Sequence, residues 1–315
     1  MKNLKSLALA AALPALISAS AHATIDRSLA RTFSAQPTGE IQVDDVGGNI
    51  RVEPSATGSV TVTAIEKFHA SSESGADEIA QKLSVAIEQH GAVVTASAKY
   101  GDPDSWFHFG SWPPVEVDFV VAVPKGFDAT LKTSGGNVDV GDLEGRVHAK
   151  TSGGNLELGR LGGEVDASTS GGNISLRESR SSVNLQTSGG EIKVGRIAGS
   201  AVLSTSGGSI EVESVEGLLR ADTSGGSIRA RIDGALTGDC ELETSGGDVN
   251  VAVDRGVGYF LDASTSGGDV RADGIVIDVT DGAAGSSRLA GKVHGGGPRL
   301  KLRSSGGGIE VRGDT

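Results

Sequence analysis

Along most of this chain apolar and polar residues alternate in short runs that break at paired glycines. In residues 151–168 the runs are Leu156-Glu157-Leu158 and Val165-Asp166-Ala167. A period of two sends successive side chains to opposite faces of an extended backbone, so each run reads as a short strand with one buried face.

The runs recur at a fixed interval. Thr-Ser-Gly-Gly begins at Thr133, Thr151, Thr169, Thr187, Thr205, Thr223, Thr244 and Thr265, and Ser304 opens a Ser-Ser-Gly-Gly variant. The first five steps are 18 residues, the next two 21 and the last 39. The halves of a period also resemble each other, with Gly136, Val138 and Val140 matching Gly145, Val147 and Ala149. A lone unit of this size buries too little apolar surface to offset the entropy of ordering it, so the units must stack. The pattern predicts an all-β fold, a parallel two-sided β-solenoid with coils of roughly 18 residues in which each strand pairs with its equivalent one period away.

Within that fold the threonines form a turn ladder on the inner side, with hydroxyl hydrogen bonds shared from coil to coil. The glycines after them are expected to supply positive φ at the corner and close approach of stacked backbones. Position five of the motif (Asn137, Asn155, Asn173, Glu191, Ser209, Ser227, Asp248, Asp269) is a polar column that satisfies the turn.

The division expected is residues 1–23 as a signal peptide, 24–132 as an N-terminal cap with the first coils, and 133–315 as the repeat solenoid. Residues 39–52 align with 145–158, Asp45 standing for the Thr and Val46 for the Ser, so a coil of the same kind starts the folded region. Alternation continues at 58–65, 92–98 and 115–123. Residues 74–83 break phase after an acidic start and predict one short helix in the cap. The far end is expected to be closed by the 39-residue interval and a final strand at 309–312, because exposed terminal strands invite association.

Composition narrows the classes. The 48 glycines lack a Gly-X-Y period, which excludes collagen, and aromatics make up only 3%, which excludes an aromatic-rich core. Lys2, Lys5, the apolar stretch 7–17 and Ala21-His22-Ala23 read as a cleavable leader, placing the protein in the periplasm or outside the cell. Nothing later approaches about 18 apolar residues in a row, so membrane insertion is not expected. Loss of the two leader lysines takes the net charge from -12 to -14, a sign that repels nucleic acid and anionic headgroups. Cys240, the single cysteine, cannot form an intrachain disulfide; it shares the inward phase of Leu242 and Thr244 and reads as a small buried hydrophobe.

No reactive set converges. Gly153-Gly154-Asn155-Leu156 lacks the third glycine and the aspartate of calcium-binding β-rolls; Asp248 and Asp269, 21 apart at one corner position, are either two solvated carboxylates or a shared weak ion site. The outward position (Asp139, Glu157, Ser175, Lys193, Glu211, Arg229, Asn250, Arg271) is mixed in sign and reads as a solvated face. His69, His90, His108, His148 and His294 lack metal-ligand spacing. No catalytic residue, metal or cofactor is expected. The exception in composition is residues 106–112. They hold both Trp and two of the seven Phe, and Trp106, Phe107, Phe109 and Trp112 suit contact with a glycan or partner, or else a plug for the solenoid's open end.

Together with the leader, residues 115–126 (Val-Glu-Val-Asp-Phe-Val-Val-Ala-Val-Pro-Lys-Gly) and the reiterated Thr-Ser-Gly-Gly-Asn motif resemble the bacterial putative-adhesin family of β-strand-repeat proteins, a domain of unknown function. The resemblance covers roughly residues 39 to 315 and implies surface adhesion, with no catalytic residues to carry over. The expected role is an exported non-enzymatic envelope scaffold or adhesin-like binding surface for an unidentified envelope protein or glycan. The alternatives are a carbohydrate-active enzyme or glycan-binding module using the 106–112 loop, and self-association through terminal coils.

Overall fold

The computed structural model describes residues 24–101 and 114–314. Their strands form one 13-stranded and one 14-stranded sheet, packed face to face around a single apolar cluster running from Ile41 to Val311. In a middle coil the chain runs along one sheet, turns at Thr-Ser-Gly-Gly and returns along the other: Val165–Ser168, the corner at Thr169, then Ile174–Ser179. Every pairing here is parallel and offset by one repeat, as in Val165 with Val183 and Ile174 with Ile192. The inward column Leu156, Ile174, Ile192, Ile210, Ile228 is therefore a continuous stack of buried aliphatics. This is a parallel two-sided β-solenoid.

The two ends are built differently. At the start, β1 (Ile25–Ser34) is an edge strand antiparallel to β4 (Ser59–Phe68), which is antiparallel to β7 (Val115–Val123). On the other sheet, β5 (Leu83–His90) is the edge and pairs antiparallel with β6 (Val93–Tyr100). The 39–52 coil contributes β2 (Glu40–Asp44) and β3 (Ile50–Pro54). It does not open the stack: it lies between β6 and β7 on one side and β8 (Asp128–Lys132) and β9 (Val138–Val140) on the other. The helix α1 (Glu73–Ala80) ends before Leu83, which begins β5, a strand the helical spacing concealed. Ser72 caps it by accepting the Gly75 N–H at 3.2 Å, and Arg27 of β1 holds Glu73 and Asp77 at 3.0 and 2.8 Å.

At the other end the last coil turns back into the stack. Strands Arg299–Ser304 and Ile309–Asp314 insert between the coil of Cys240–Thr244 and Val249–Asp254 and the coil of Tyr259–Thr265 and Val270–Asp273. The final strand is thus internal, contrary to its expected place at the tip. The closing element is the antiparallel pair Ile277–Gly282 and Arg288–Val293, whose turn also covers the other sheet: Ser286 O accepts from Val270 N and Gly285 N donates to Val270 O, each at 2.8 Å. Arg231 fastens the insertion, bonding Asp233 and Asp314 at 2.5 and 2.7 Å and reaching Asp254 at 3.4 Å. Strand Ile277–Gly282 leaves an open edge beside Val276, which is 77% exposed.

Candidate functional site

The repeated corner is the most regular side-chain arrangement in the molecule. Thr151 Oγ1 donates to the Gly136 carbonyl of the preceding coil at 2.9 Å and accepts the N–H of Gly154 in its own coil at 3.3 Å. Thr169, Thr187, Thr205 and Thr223 repeat both bonds within 0.2 Å. Thr133 donates to Gly48 O, Thr244 to Gly226 O, and Thr265 to Gly307 O of the inserted coil. The hydroxyls therefore bond backbone groups and not one another, in contrast to the shared hydroxyl bonds expected from the threonine spacing. Each bridges two backbones, because a buried carbonyl and a buried N–H are the groups left without a ladder partner at the bend.

None of the Thr-Ser-Gly-Gly glycines has positive φ, so the expected left-handed corner is not what selects them. Close approach is. A Cβ on Gly154, Gly172 or Gly190 would overlap the carbonyl oxygen of the equivalent glycine one coil earlier, whereas one on Gly153 would meet Gly135 O at an ordinary 3.5 Å. Position five completes the corner. Asn155 N donates to Asn137 Oδ1, Asn173 N to Asn155 Oδ1 and Glu191 N to Asn173 Oδ1, each at 2.8 Å. Asp248 Oδ1 accepts Gly308 N at 2.7 Å, and the inserted coil separates it from Asp269. The two aspartates are not stacked neighbours, and the shared-ion reading falls with that spacing.

On the outer faces some side chains pair from coil to coil. Asp142 with Arg160, Asp128 with Arg146 and His148 with Asp166 are each 18 residues apart and 2.8, 2.8 and 3.1 Å in distance. Opposite charges across the ladder, as in the two Asp–Arg pairs, favour the native register. A hydrogen bond from the Arg160 backbone, followed by one from its guanidinium, holds the Asp142 carboxyl below its ordinary pKa, and Lys301 followed by Arg220 does the same for Glu241. The signal that finds these pairs is the 18-residue spacing applied to charged positions, rather than charge at a single position.

One region of the 13-stranded sheet is open. A cleft of about 480 Å³ runs across coils from Ser175 to Asp314, with Gly195 and Ala252 on its floor. Lys193, Glu211 and Arg229 stack along it in register, alternating in sign. Glu211, Glu213 and Arg229 form no hydrogen bond or ion pair among the described residues, so their donors and acceptors face solvent.

Cys240 is buried and its thiol is pushed up by burial; it sits in the core column with Leu242. No group of three or more His, Cys, Asp and Glu able to hold a metal occurs among the described residues, and no helix there is long and apolar enough to cross a membrane. Residues 1–23 and the aromatic set Trp106, Phe107, Phe109 and Trp112 lie outside the described residues.

Stacked coils, a backbone-bridging corner and charge-paired faces define a β-solenoid of the strand-repeat class. Residues 38–312 match the family described as Toastrack DUF4097, and the chain belongs to it, the putative-adhesin family of unknown function that its repeats resemble. Among solved structures, a putative adhesin from Bacteroides fragilis is 14% identical, covering 91% of this chain and 97% of its own, with a TM-score of 0.34. A putative adhesin from Parabacteroides merdae is 13% identical, covering 90% and 96%, with a TM-score of 0.39. A putative lipid binding protein from Parabacteroides distasonis is 12% identical, covering 90% and 96%, with a TM-score of 0.34. Those names describe those proteins alone. No curated protein matches the chain.

Proposed function

We propose that this protein is an exported, non-enzymatic solenoid that acts as an envelope scaffold and adhesin-like binding surface, with a glycan or envelope protein as partner. The observation that supports it is the cleft on the 13-stranded sheet, where Arg229 offers donors and Glu211 and Glu213 offer acceptors on a rigid stack that otherwise spends many of its charges in coil-to-coil pairs. A hydroxyl-rich chain supplies both kinds of partner at once, and its ring spacing needs no deep pocket. The experiment is incubation of the purified protein with envelope and extracellular glycans, following retention and turnover together. Retention without turnover, weakened at least several-fold by Arg229→Ala, supports the reading. Turnover that disappears when one carboxylate is replaced overturns it in favour of a carbohydrate-active enzyme, and retention lost only in Trp106→Ala and Trp112→Ala moves the contact to the aromatic segment. Export is tested by fractionating cells for the mature chain beginning near Thr24.

A second reading, self-association with another copy of the chain, is favoured by the open edge of strand Ile277–Gly282, flanked by exposed Val276 and carrying exposed Val279. Sedimentation across concentrations then shows a larger species that Val276→Lys removes; a single monomeric boundary at every concentration rejects it.

A further inference from the structure

The first coil departs from the corner rule at one residue. Register places Asp44 opposite Lys132, and Lys132 opposite Lys150, so Asp45 occupies the position that Thr133 and Thr151 fill in the next two coils. Asp45 is 5% exposed. Its Oδ2 accepts the Gly47 N–H at 3.3 Å and the Thr133 hydroxyl at 3.4 Å, while Oδ1 is buried with no partner.

The missing partner can be located from the neighbouring coils. Each corner threonine donates to the carbonyl that its coil's close-packed glycine stacks upon: Thr151 bonds Gly136 O, and Gly154 packs against that same oxygen. In the first coil the close-packed glycine is Gly48, and the oxygen beneath it belongs to Val117 of β7. A threonine at position 45 would have a hydrogen for that carbonyl. A carboxylate has none; a carboxylic acid does.

We propose that Asp45 is a protonation-controlled latch between the N-terminal cap and the first coil, donating to the Val117 carbonyl when neutral and releasing it when ionised. The burial that strips water from the carboxyl pushes its pKa up to about 6, against the lowering effect of the Gly48, Gly47 and Val46 N–H groups and the Thr133 hydroxyl. Charged groups on the packed elements do not compensate it. Asp44, Lys132, Lys99 and Glu116 are exposed, and Asp118 is taken by Lys67 and by Asn49. Because the folded pKa lies above the ordinary value of 3.8, the folded state holds this proton more tightly. The latch's contribution is complete below pH 3.8 and is lost as pH rises through about 6.

The test is an NMR titration of the Asp45 carboxyl carbon in the full chain, paired with denaturant midpoints of the wild type and Asp45→Thr from pH 4 to pH 8. The expected results are a titration near pH 6 and a wild-type folded-to-unfolded ratio that falls by roughly 100-fold across the range relative to Asp45→Thr. Amide exchange in Val115–Val123 relative to the middle coils should quicken with that loss in the wild type alone. A carboxyl that titrates below about pH 4.5, in the ordinary carboxylate range, overturns the proposal, as do parallel stability profiles for the two proteins.

Discussion

Between Val147 and Val253 each coil rests on the coil that precedes it in sequence, whereas at both ends the chain doubles back and slots one coil between others that are distant in sequence. Coil β2/β3 is enclosed by strands that follow it, and the last coil is enclosed by strands that precede it. The middle can therefore be specified by a repeat, since every strand meets a copy of itself. The ends must stop the stacking, and they do so with antiparallel strands that no repeat supplies: β4 against β7, β5 against β6, and Ile277–Gly282 against Arg288–Val293. Repetition gives length, and reversal of the chain gives termination.

The largest test of that contrast is truncation after Pro298. In a simple solenoid it would shorten the stack by one coil; here it removes two strands from between occupied neighbours and the Asp314 carboxylate from Arg231. Limited proteolysis should show cleavage spreading through residues 255–298 while the middle coils stay protected. Next comes the corner. Gly172→Ala drives a methyl group into the Gly154 carbonyl and should cost about 3 kcal/mol or more, whereas Gly171→Ala, with 3.4 Å to Gly153 O, should stay near wild type in a urea titration. Thr187→Val leaves the buried Gly172 carbonyl and Gly190 N–H without their hydroxyl and should cost about 1–3 kcal/mol by the same measurement. Smallest is Arg160→Ala: its pair with Asp142 is exposed, and a change of about 0.5 kcal/mol or less, screened by salt, is expected.

The same contrast explains why Asp45 is the informative corner. Its neighbours Thr133 and Thr151 show what the position does in a regular coil, so the orphaned Oδ1 stands out as a departure. Its coil also adjoins the cap, where the carbonyl below belongs to a strand, β7, that lacks the glycine corner.

Much of the corner was legible in the residues. The spacing of the threonines, their inward phase and the turn-satisfying role of Asn137, Asn155 and Asn173 follow from local periodicity. The partners of the hydroxyls were not legible, because a backbone carbonyl one coil away carries no mark in the sequence. Positive φ was a reasonable expectation for paired glycines, yet the space removed by the stacked carbonyl decided the matter. Some outward charges that read as unrelated along the chain are ion pairs across it, as in Asp142 with Arg160 and Asp128 with Arg146, whose neighbour is 18 residues off.

By itself the sequence determined the coil: its length, its two strands, its buried face and the residue types at its bend, all of which depend on contacts repeated every period. Only the tertiary structure decided which coil neighbours which at the ends. The physical reason is that a parallel strand presents the same evenly spaced N–H and C=O groups to any partner, so the slot beside Val249–Asp254 accepts the coil that follows it or the coil that returns from Arg299. The hairpin at Ile277–Val293, which carries the chain outward and back, selects the second.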